Sequence, residues 1–286
     1  MSSIRSSYDP INGYEIKVWD EEYLQTKEEV LLARIYQPCG EGPFPALLDV
    51  HGGVWSGGDR TSSAFLDQSL ASSGLVVVAV DFHLAPKYPY PTQIMEVNFA
   101  TRWLKDHAQE LNADSRNVGT LGTSSGGHTT MLSAMKPHHT SFANLPLSGT
   151  SLCDATVKWV IALWPVLDPY ARYIYAQEFK RKNLVTLTEG YFINENNMQE
   201  GNPQLILDRG EEIELPPVLI IQGTADANIP LTIPKRFASS YQESGGEIDL
   251  ELFPDMPHGF IGGPYPESQQ ALDIIKTWIF HRVETQ

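Results

Sequence analysis

The feature of this sequence that most restricts its fold is a regular alternation of short apolar runs with longer amphipathic segments. Several of the short runs are rich in Val, Ile and Leu without polar alternation, which is typical of strands buried on both faces. The alternation predicts an α/β fold with a mostly parallel central sheet flanked by helices. The predicted strands are residues 30–37, 45–50, 75–81, 118–122, 157–167, 217–222 and 248–253, with an antiparallel opening strand near residues 14–18.

Three segments between these runs have the apolar periodicity of helices. Met95, Phe99 and Trp103 recur every four residues and predict one amphipathic helix. Residues 126–135 predict a second, which Pro137 would end because proline cannot donate to the helical hydrogen bonds. Residues 271–279 predict a closing helix with an apolar inner face.

Residues from about 170 to 215 interrupt the alternation. This segment is polar, rich in aromatic residues and longer than an ordinary loop. Open α/β sheets bind their ligands at the carboxyl ends of the strands. We therefore expect residues 170–215 to form a helical cap insertion over that edge, within a single domain of residues 1–286.

The motif Gly122-Thr123-Ser124-Ser125-Gly126 is the strongest functional signal. A G-x-S-x-G sequence alone is weak, but this one follows an apolar run and opens a predicted helix. That strand–turn–helix context is typical of a nucleophile elbow, in which the turn exposes the serine hydroxyl. The turn is crowded, so small residues are expected two positions before and two positions after the serine, which Gly122 and Gly126 supply. Ser124 is the predicted nucleophile.

A second motif, His51-Gly52-Gly53-Val54-Trp55, directly follows the predicted strand 45–50. Acyl transfer builds negative charge on a carbonyl oxygen, and backbone N–H groups that already point at this oxygen stabilise it. A glycine-rich turn after this strand supplies such donors in α/β-hydrolases. We predict an oxyanion hole formed by the N–H groups of Gly52, Gly53 and Ser125, and a structural role for His51.

The general base and its orienting acid follow from chain order. His258 lies in a loop after the last predicted strand and before the last helix, which matches the order Ser…Asp…His. Asp226 comes just after the apolar run 217–222, so it is expected at the same sheet edge as Ser124. Asp255 is closer to His258 in sequence but shares its tight loop. The predicted triad is therefore Ser124, His258 and Asp226.

These motifs resemble those of the hormone-sensitive-lipase-like branch of the α/β-hydrolase esterases. The resemblance runs from about residue 45 to the C-terminus. It includes His51-Gly52-Gly53, the stretch 80–91, residues 122–127, Asp226 with Pro230, and Pro257-His258-Gly259-Phe260. It implies an α/β-hydrolase fold and a serine carboxylesterase that works through an acyl-enzyme intermediate.

The chain departs from that family at several positions. Val54 and Trp55 follow the glycine pair, and this H-G-G-x-W motif resembles the branch of kynurenine formamidase and related esterases. Thr123 and Ser125 replace the Asp and Ala that often flank the nucleophile. Only about fifty residues precede the oxyanion motif, so an N-terminal cap is expected to be short or missing. Because of Trp55 in the H-G-G-x-W motif, an amidase of the arylformamidase type is the alternative function.

A non-catalytic ligand receptor is a remote third hypothesis. Gibberellin receptors resemble this family but lack the catalytic histidine, whereas His258 is present here. Retention of this histidine favours an enzyme.

Three aromatic residues are predicted to line a narrow substrate pocket. Trp55 lies beside the oxyanion glycines, Trp164 near the end of a predicted strand, and Phe260 just after the histidine. Aromatic rings at these places would limit the space beside the nucleophile. We therefore expect esters of small acyl groups as substrates.

Charge and cysteine content limit the partners. A net charge of −15 argues against binding to nucleic acid, which requires clustered Lys and Arg. No cluster of His, Cys and Asp has metal-ligand spacing, so no metal or organic cofactor is predicted. Cys39 and Cys153 are expected to be free thiols. The sequence has no apolar N-terminal segment and no apolar run long enough to span a bilayer. We therefore expect a cytoplasmic protein without membrane insertion. A homo-oligomer is also possible.

Overall fold

The computed structural model describes residues 8–11, 13–147 and 153–284. The strands are β1 (Ile16–Gln25), β2 (Val30–Pro38), β3 (Phe44–Val50), β4 (Val76–Val80), β5 (Ala113–Thr123), β6 (Val160–Leu163), β7 (Val218–Gly223) and β8 (Ile248–Phe253). The helices are α1 (Ala64–Ser72), α2 (Thr92–Asp106), α3 (Ser125–Met135), α4 (Pro169–Glu178), α5 (Lys182–Phe192), α6 (Glu195–Glu200), α7 (Pro203–Asp208), α8 (Thr232–Glu243) and α9 (Pro266–Glu284).

The eight strands in the described residues form one sheet, in the order β1-β2-β4-β3-β5-β6-β7-β8. Strand β2 pairs antiparallel with both β1 and β4, and every other neighbouring pair is parallel. The predicted mostly parallel sheet is confirmed. Each residue of β3, β4, β6 and β7 is buried, as expected for strands covered on both faces.

Alternate residues of the central strands contact opposite layers of helices. Leu219 and Ile221 of β7 belong to the core under α1 and α9, which contribute Leu70 and Ile275. Val218 and Ile220 belong to the core on the other face, with residues of α3 and α8. Because parallel strands end at the same edge, the loops that follow β3, β5 and β7 meet there.

Two predicted strands have different limits in the structure. The run 157–167 contains only the short strand β6, because Trp164 takes φ = 37° and turns the chain out of the sheet. The opening strand extends further than 14–18, since β1 pairs with β2 as far as Gln25. Between β6 and β7 the segment predicted as a cap contains the helices α4 to α7.

Candidate active site

Ser124 lies at the turn between β5 and α3. Its backbone has φ = 52° and ψ = −115°, which a residue with a side chain adopts only when its surroundings enforce it. The N–H of Ser124 donates to the carbonyl oxygen of Leu163 at 2.9 Å, and its own carbonyl accepts from the N–H of Val166 at 3.1 Å. These bonds to the neighbouring strand end fix the strained turn.

The two glycines of the motif lie where no side chain fits. A Cβ atom on Gly126 would overlap the carbonyl oxygens of Val50 and His51. A Cβ atom on Gly122 would lie 2.5 Å from the carbonyl oxygen of Gly126. Contacts below about 3 Å do not occur for real Cβ atoms. The expectation that both positions need small residues agrees with this geometry, which leaves room only for glycine.

The three predicted triad residues lie in one hydrogen-bonded series. The hydroxyl of Ser124 donates to Nε2 of His258 at 3.0 Å. Nδ1–H of His258 in turn donates to Oδ2 of Asp226 at 2.7 Å. These donor roles follow from the tautomer in which Nδ1 carries the proton, which is the one that faces a carboxylate.

The side chain of Asp226 is buried and accepts four hydrogen bonds. Oδ1 accepts from the N–H groups of Asn228 at 2.7 Å and Ile229 at 2.9 Å. Oδ2 accepts from Nε2 of Gln222 at 3.0 Å, in addition to His258. Burial alone would raise the pKa of Asp226, but the hydrogen bond and charge of His258 and these further donors lower it overall.

The competing acid does not pair with the histidine. Asp255 is exposed, has φ = 60°, and its N–H donates to Oγ1 of Thr224 at 2.8 Å. In the part of the chain that the structure describes, no hydrogen bond or ion pair joins Asp255 to His258. The geometry therefore agrees with the choice of Asp226.

Of the predicted oxyanion donors, Gly52 lies against Ser124, Ser125 follows it in the chain, and Gly53 lines the same cavity as Ser124. A Cβ atom on Gly52 would lie 2.9 Å from the carbonyl oxygen of Thr123 and 3.1 Å from Cβ of Ser124, so the two loops are in close contact. Within residues 8–11, 13–147 and 153–284, no acceptor is bonded to the N–H of Gly52 or Gly53. Ser125 is the first residue of α3, so its N–H has no acceptor within the helix.

His51 has the structural environment expected of it. Its ring stacks on Phe82 with centroids 4.2 Å apart and planes 9° apart. Burial lowers the pKa of His51, which favours the neutral ring. Among the described residues, no hydrogen bond, ion pair or ring contact joins the His51 ring to Ser124, His258 or Asp226.

An open cavity of about 730 Å³ borders the nucleophile. Ser124, His258, Gly52 and Gly53 form part of its wall. The other lining residues are Val54, Gly58, Ser62, Ser63, Phe65, Leu66, Thr123, Leu163, Trp164, Asn228, Gly259, Ile261, Gly262 and Gly263. Most of these were not predicted, because loops that follow different strands bring them together.

Two of the three predicted pocket aromatics do not line this cavity. Trp164 does, and its ring centroid lies 6.0 Å from that of His258. Trp55 and Phe260 are each 1% exposed and are absent from the wall, so their assignment as pocket residues was wrong. Phe260 packs into the core beside Phe253, with ring centroids 5.0 Å apart. Trp55 turns away because its φ of 59° directs the side chain into the core under α5.

Among the described residues, no group of three or more His, Cys, Asp or Glu side chains could hold a metal ion. None of the helices formed by these residues is long and apolar enough to cross a membrane. Cys39 and Cys153 are not joined in a disulfide.

Comparison with known proteins agrees with this fold. A family model described as BD-FAE matches residues 34–240. Over 246 residues the chain is 35% identical to the esterase LipI of Mycobacterium tuberculosis, covering 83% of this chain and 74% of LipI. It is 25% identical over 239 residues to the probable carboxylic ester hydrolase LipM of the same organism, covering 82% of this chain but only 51% of LipM. The chain thus spans about half the length of LipM.

Among solved structures, an esterase of Thermogutta terrifontis with propionate bound superposes with a TM-score of 0.73. The identity is 22%, and the match covers 94% of each chain. At this identity the likeness concerns the fold alone. The chain has the α/β-hydrolase fold.

Proposed function

The chain belongs to the BD-FAE family, and from that premise we propose that it is a serine hydrolase that cleaves carboxylic esters of small acyl groups. The observation that carries this proposal is the hydrogen-bonded series Ser124, His258 and Asp226, with distances of 3.0 and 2.7 Å. A serine hydroxyl paired with an imidazole that is itself held by a carboxylate is the arrangement of an activated nucleophile.

In the proposed reaction, Nε2 of His258 takes the hydroxyl proton of Ser124 as Oγ attacks the ester carbonyl carbon. The carbonyl oxygen becomes an oxyanion and accepts hydrogen bonds from the N–H groups of Gly52, Gly53 and Ser125. His258 then donates its proton to the departing alcohol oxygen, and the acyl group remains on Ser124. Water, deprotonated by His258, attacks the carbonyl carbon of the acyl-enzyme. The bond from that carbon to Oγ of Ser124 then breaks, Oγ takes the proton back from His258, and the carboxylic acid is released.

Asp226 supports this cycle as a fixed anion. Its hydrogen bond keeps the proton of His258 on Nδ1, so Nε2 is free to accept from Ser124. Its lowered pKa keeps the carboxylate ionised as the imidazolium forms. Donors from Asn228 and Ile229 hold the carboxylate in place, so no reorganisation is needed during the reaction.

The substrate class follows from the cavity beside the nucleophile. Its walls near Ser124 include the apolar side chains of Val54, Leu163 and Trp164. The Trp164 ring lies beside His258 and limits the space on that side. We propose that acyl groups of about two to six carbons fit there, each methylene gaining about 0.8 kcal/mol until the space is filled. The propionate bound by the Thermogutta esterase is consistent with this size.

No observation in the site favours a formamide substrate over an ester. The formamidase hypothesis depends on Trp55, and this side chain is buried away from the cavity. A non-catalytic receptor would not need His258, which is hydrogen-bonded to Ser124. Esterase activity is therefore the function that the geometry supports best.

We further propose that residues 170–215 cap the site and that the protein is cytoplasmic. In support of a cap, the hydroxyl of Tyr175 in α4 donates to the carbonyl oxygen of Ala227, next to Asp226.

For the cytoplasmic location, the absence of a disulfide between Cys39 and Cys153 is compatible with a reducing compartment. The partner that the site can accommodate is a small-molecule ester.

Covalent labelling tests the assignment of the nucleophile. A fluorophosphonate should label the parent protein at Ser124, and Ser124→Ala should abolish labelling and lower kcat by roughly 10⁶-fold. Intact mass and peptide mapping locate the label, and circular dichroism checks that the variant folds. Labelling of a folded Ser124→Ala protein at another serine would reject the assignment.

A substrate panel tests the reaction class and the acyl size. We expect kcat/KM on p-nitrophenyl esters to be highest between the acetate and the hexanoate, and far higher on these than on N-formylkynurenine. A maximum at ten carbons or longer would contradict the proposed size. Faster turnover of the formamide would make the protein an amidase.

A further inference from the structure

The loop that carries the oxyanion glycines is held by the residue at its end. Gly53, Val54 and Trp55 have φ values of 121°, 54° and 59°, so three consecutive residues adopt left-handed backbone conformations. Such a run is unfavourable for Val and Trp and persists only where surrounding contacts enforce it. These contacts converge on Trp55.

All three polar groups of Trp55 are hydrogen-bonded. Its backbone N–H donates to Oγ of Ser125 at 3.1 Å, and its indole N–H donates to Nδ1 of His128 at 3.2 Å. Its carbonyl oxygen accepts from the N–H of Ala85 at 2.9 Å and from Nε2 of Gln93 at 2.7 Å. The position and the orientation of Trp55 are therefore both determined.

The indole ring is enclosed by side chains of the inserted helices. Tyr191 of α5 stacks on it with ring centroids 4.8 Å apart and planes 1° apart. Phe192 meets it edge-on at 5.2 Å, and the guanidinium of the buried Arg172 lies 5.7 Å from the ring centroid. A smaller ring at this position would leave a void in a closely packed region.

His128 is arranged to accept from the indole. It is fully buried in α3, and its Nε2–H donates to the carbonyl oxygen of Gly201 at 2.7 Å. Nδ1 is then left without a proton and accepts from Trp55. Burial lowers the pKa of His128 to about 4, so the ring stays neutral above that pH.

From these contacts we infer that the hydroxyl of Ser125 and the imidazole of His128 are positioning residues for the oxyanion hole, which they hold through Trp55. The inference rests on the proposed esterase function. Ser125 would contribute twice, because its backbone N–H is a proposed oxyanion donor while its Oγ accepts a hydrogen bond from Trp55 at the end of the loop that supplies the other proposed donors. The hydrogen bond between Ser125 and Trp55 would therefore help to fix the distance between the N–H of Ser125 and the N–H groups of Gly52 and Gly53.

This role predicts a loss that is specific to the transition state. The glycine N–H groups meet the oxyanion only when the carbonyl becomes tetrahedral, so misplacing them affects kcat more than ground-state binding. Loss of one oxyanion donor typically costs 10²–10³ in rate. Displacement of the loop should cost less, roughly 10- to 100-fold in kcat.

The first experiment compares Ser125→Ala with Ser133→Ala. Both changes remove one buried hydroxyl from α3, and Ser125→Ala keeps the backbone N–H. We expect Ser125→Ala to lower kcat per titrated serine roughly 10- to 100-fold with little change in KM, while Ser133→Ala leaves kcat unchanged. Binding of a trifluoromethyl ketone, which mimics the tetrahedral state, should weaken in proportion to kcat/KM. Active-site titration counts only folded enzyme, so a loss of folded protein cannot imitate this result.

The second experiment tests the imidazole by conservative rescue. His128→Asn retains an acceptor near the position of Nδ1, whereas His128→Leu removes it. We expect His128→Leu to lower kcat and ketone affinity together, and His128→Asn to restore most of both. In a Trp55→Phe background, which keeps a stacked ring but lacks the indole N–H, His128→Leu should have little additional effect on kcat.

The inference is overturned if Ser125→Ala retains parental kcat and ketone affinity per titrated serine, or if the two His128 variants do not differ. Failure of the proposed function has a different signature, since the parent protein would then neither react with the fluorophosphonate at Ser124 nor turn over esters. If His128→Leu does not fold, the Ser125→Ala comparison still decides the question.

Discussion

Ser124 presents its hydroxyl to His258 only because its backbone takes a conformation that non-glycine residues rarely adopt. A φ of 52° with ψ of −115° costs of order 1–3 kcal/mol. The hydrogen bonds to Leu163 and Val166 at 2.9 and 3.1 Å help to offset this cost. The strain is therefore local, and it is supported by the neighbouring strand end.

Asp226→Asn should lower kcat by roughly 10⁴-fold without unfolding the protein. The amide can donate to Nδ1 of His258 and so favours the tautomer whose Nε2 carries the proton, which cannot accept from Ser124. Steady-state kinetics and thermal denaturation measure the two effects.

The matched control is Asp255→Asn, which removes an exposed carboxylate from the histidine loop. Its effect on kcat should be much smaller, because the contact described for Asp255 is made by its backbone N–H. The opposite ranking of the two variants would assign the orienting role to Asp255.

The junction of β5 with α3 requires that the helix begin almost in contact with the end of β3. Strand β3 pairs with β5 in register, Val50 beside Gly122, and Gly126 then lies against the carbonyl oxygens of Val50 and His51. The same close approach brings the oxyanion loop next to Ser124. Packing between these elements therefore sets the geometry of the site.

Gly126→Ala should lower the free energy of unfolding by about 1–3 kcal/mol and also reduce kcat. The added methyl group would overlap backbone oxygens, which cannot move as a flexible side chain can, so α3 must shift away from β3. Chemical denaturation and ester turnover measure both consequences.

Gly190→Ala provides the control for this change. Gly190 lies in α5, and the nearest atom to an added Cβ would be Cβ of Pro86 at 3.4 Å. This variant should be neutral or more stable by about 0.5–1 kcal/mol, because alanine is the better helix former. Equal destabilisation by both substitutions would contradict the steric explanation for Gly126.

At the scale of the whole molecule, the layer between the sheet and α1 contains two buried acids. Asp49 of β3 is on the same face of its strand as Leu47, and Asp67 of α1 is fully buried. In the described part of the chain, neither oxygen of Asp67 has a hydrogen-bond partner. Burial raises the pKa of Asp49 to about 7 and that of Asp67 well above its usual value, and the charge of Asp49 raises the latter further.

The raised pKa values make folding stability depend on pH. Above about pH 3.9, where an unfolded aspartate loses its proton, the folded state binds more protons than the unfolded state. The stability contributed by the pair is therefore complete below that pH and is lost as the pH rises through the folded pKa of about 7 for Asp49, and beyond it for Asp67.

Asp67→Asn should remove part of this dependence. We expect the stability advantage of the variant over the parent to be larger at pH 9 than at pH 5 by about 1–3 kcal/mol, because the parent must bury a charge at that position once Asp67 ionises. Urea denaturation at the two pH values tests this. The exposed Asp273→Asn serves as control and should change stability little at either pH. A parent whose stability does not fall between pH 5 and 9 would refute the argument.

The sequence by itself determined the layered α/β architecture and the residues of the hydrogen-bonded series. Strands buried on both faces must be apolar throughout, and runs such as Leu75–Val80 are readable without structure because that requirement is local. Ser124, Asp226 and His258 could be named for a related reason. Parallel strands end at one edge, so the chain order of loop residues after the strands indicates which of them meet.

Only the tertiary structure decided which side chains face the cavity. Trp55 and Phe260 are next to reactive residues in sequence, yet both point into the core, because a left-handed backbone or a tight loop redirects a side chain in a way that composition does not indicate. Gln222 and the lining residue Phe65 were missed because their roles depend on contacts across separate loops. Local patterns specify elements and their order, whereas the direction of a loop side chain results from packing among elements distant in the chain.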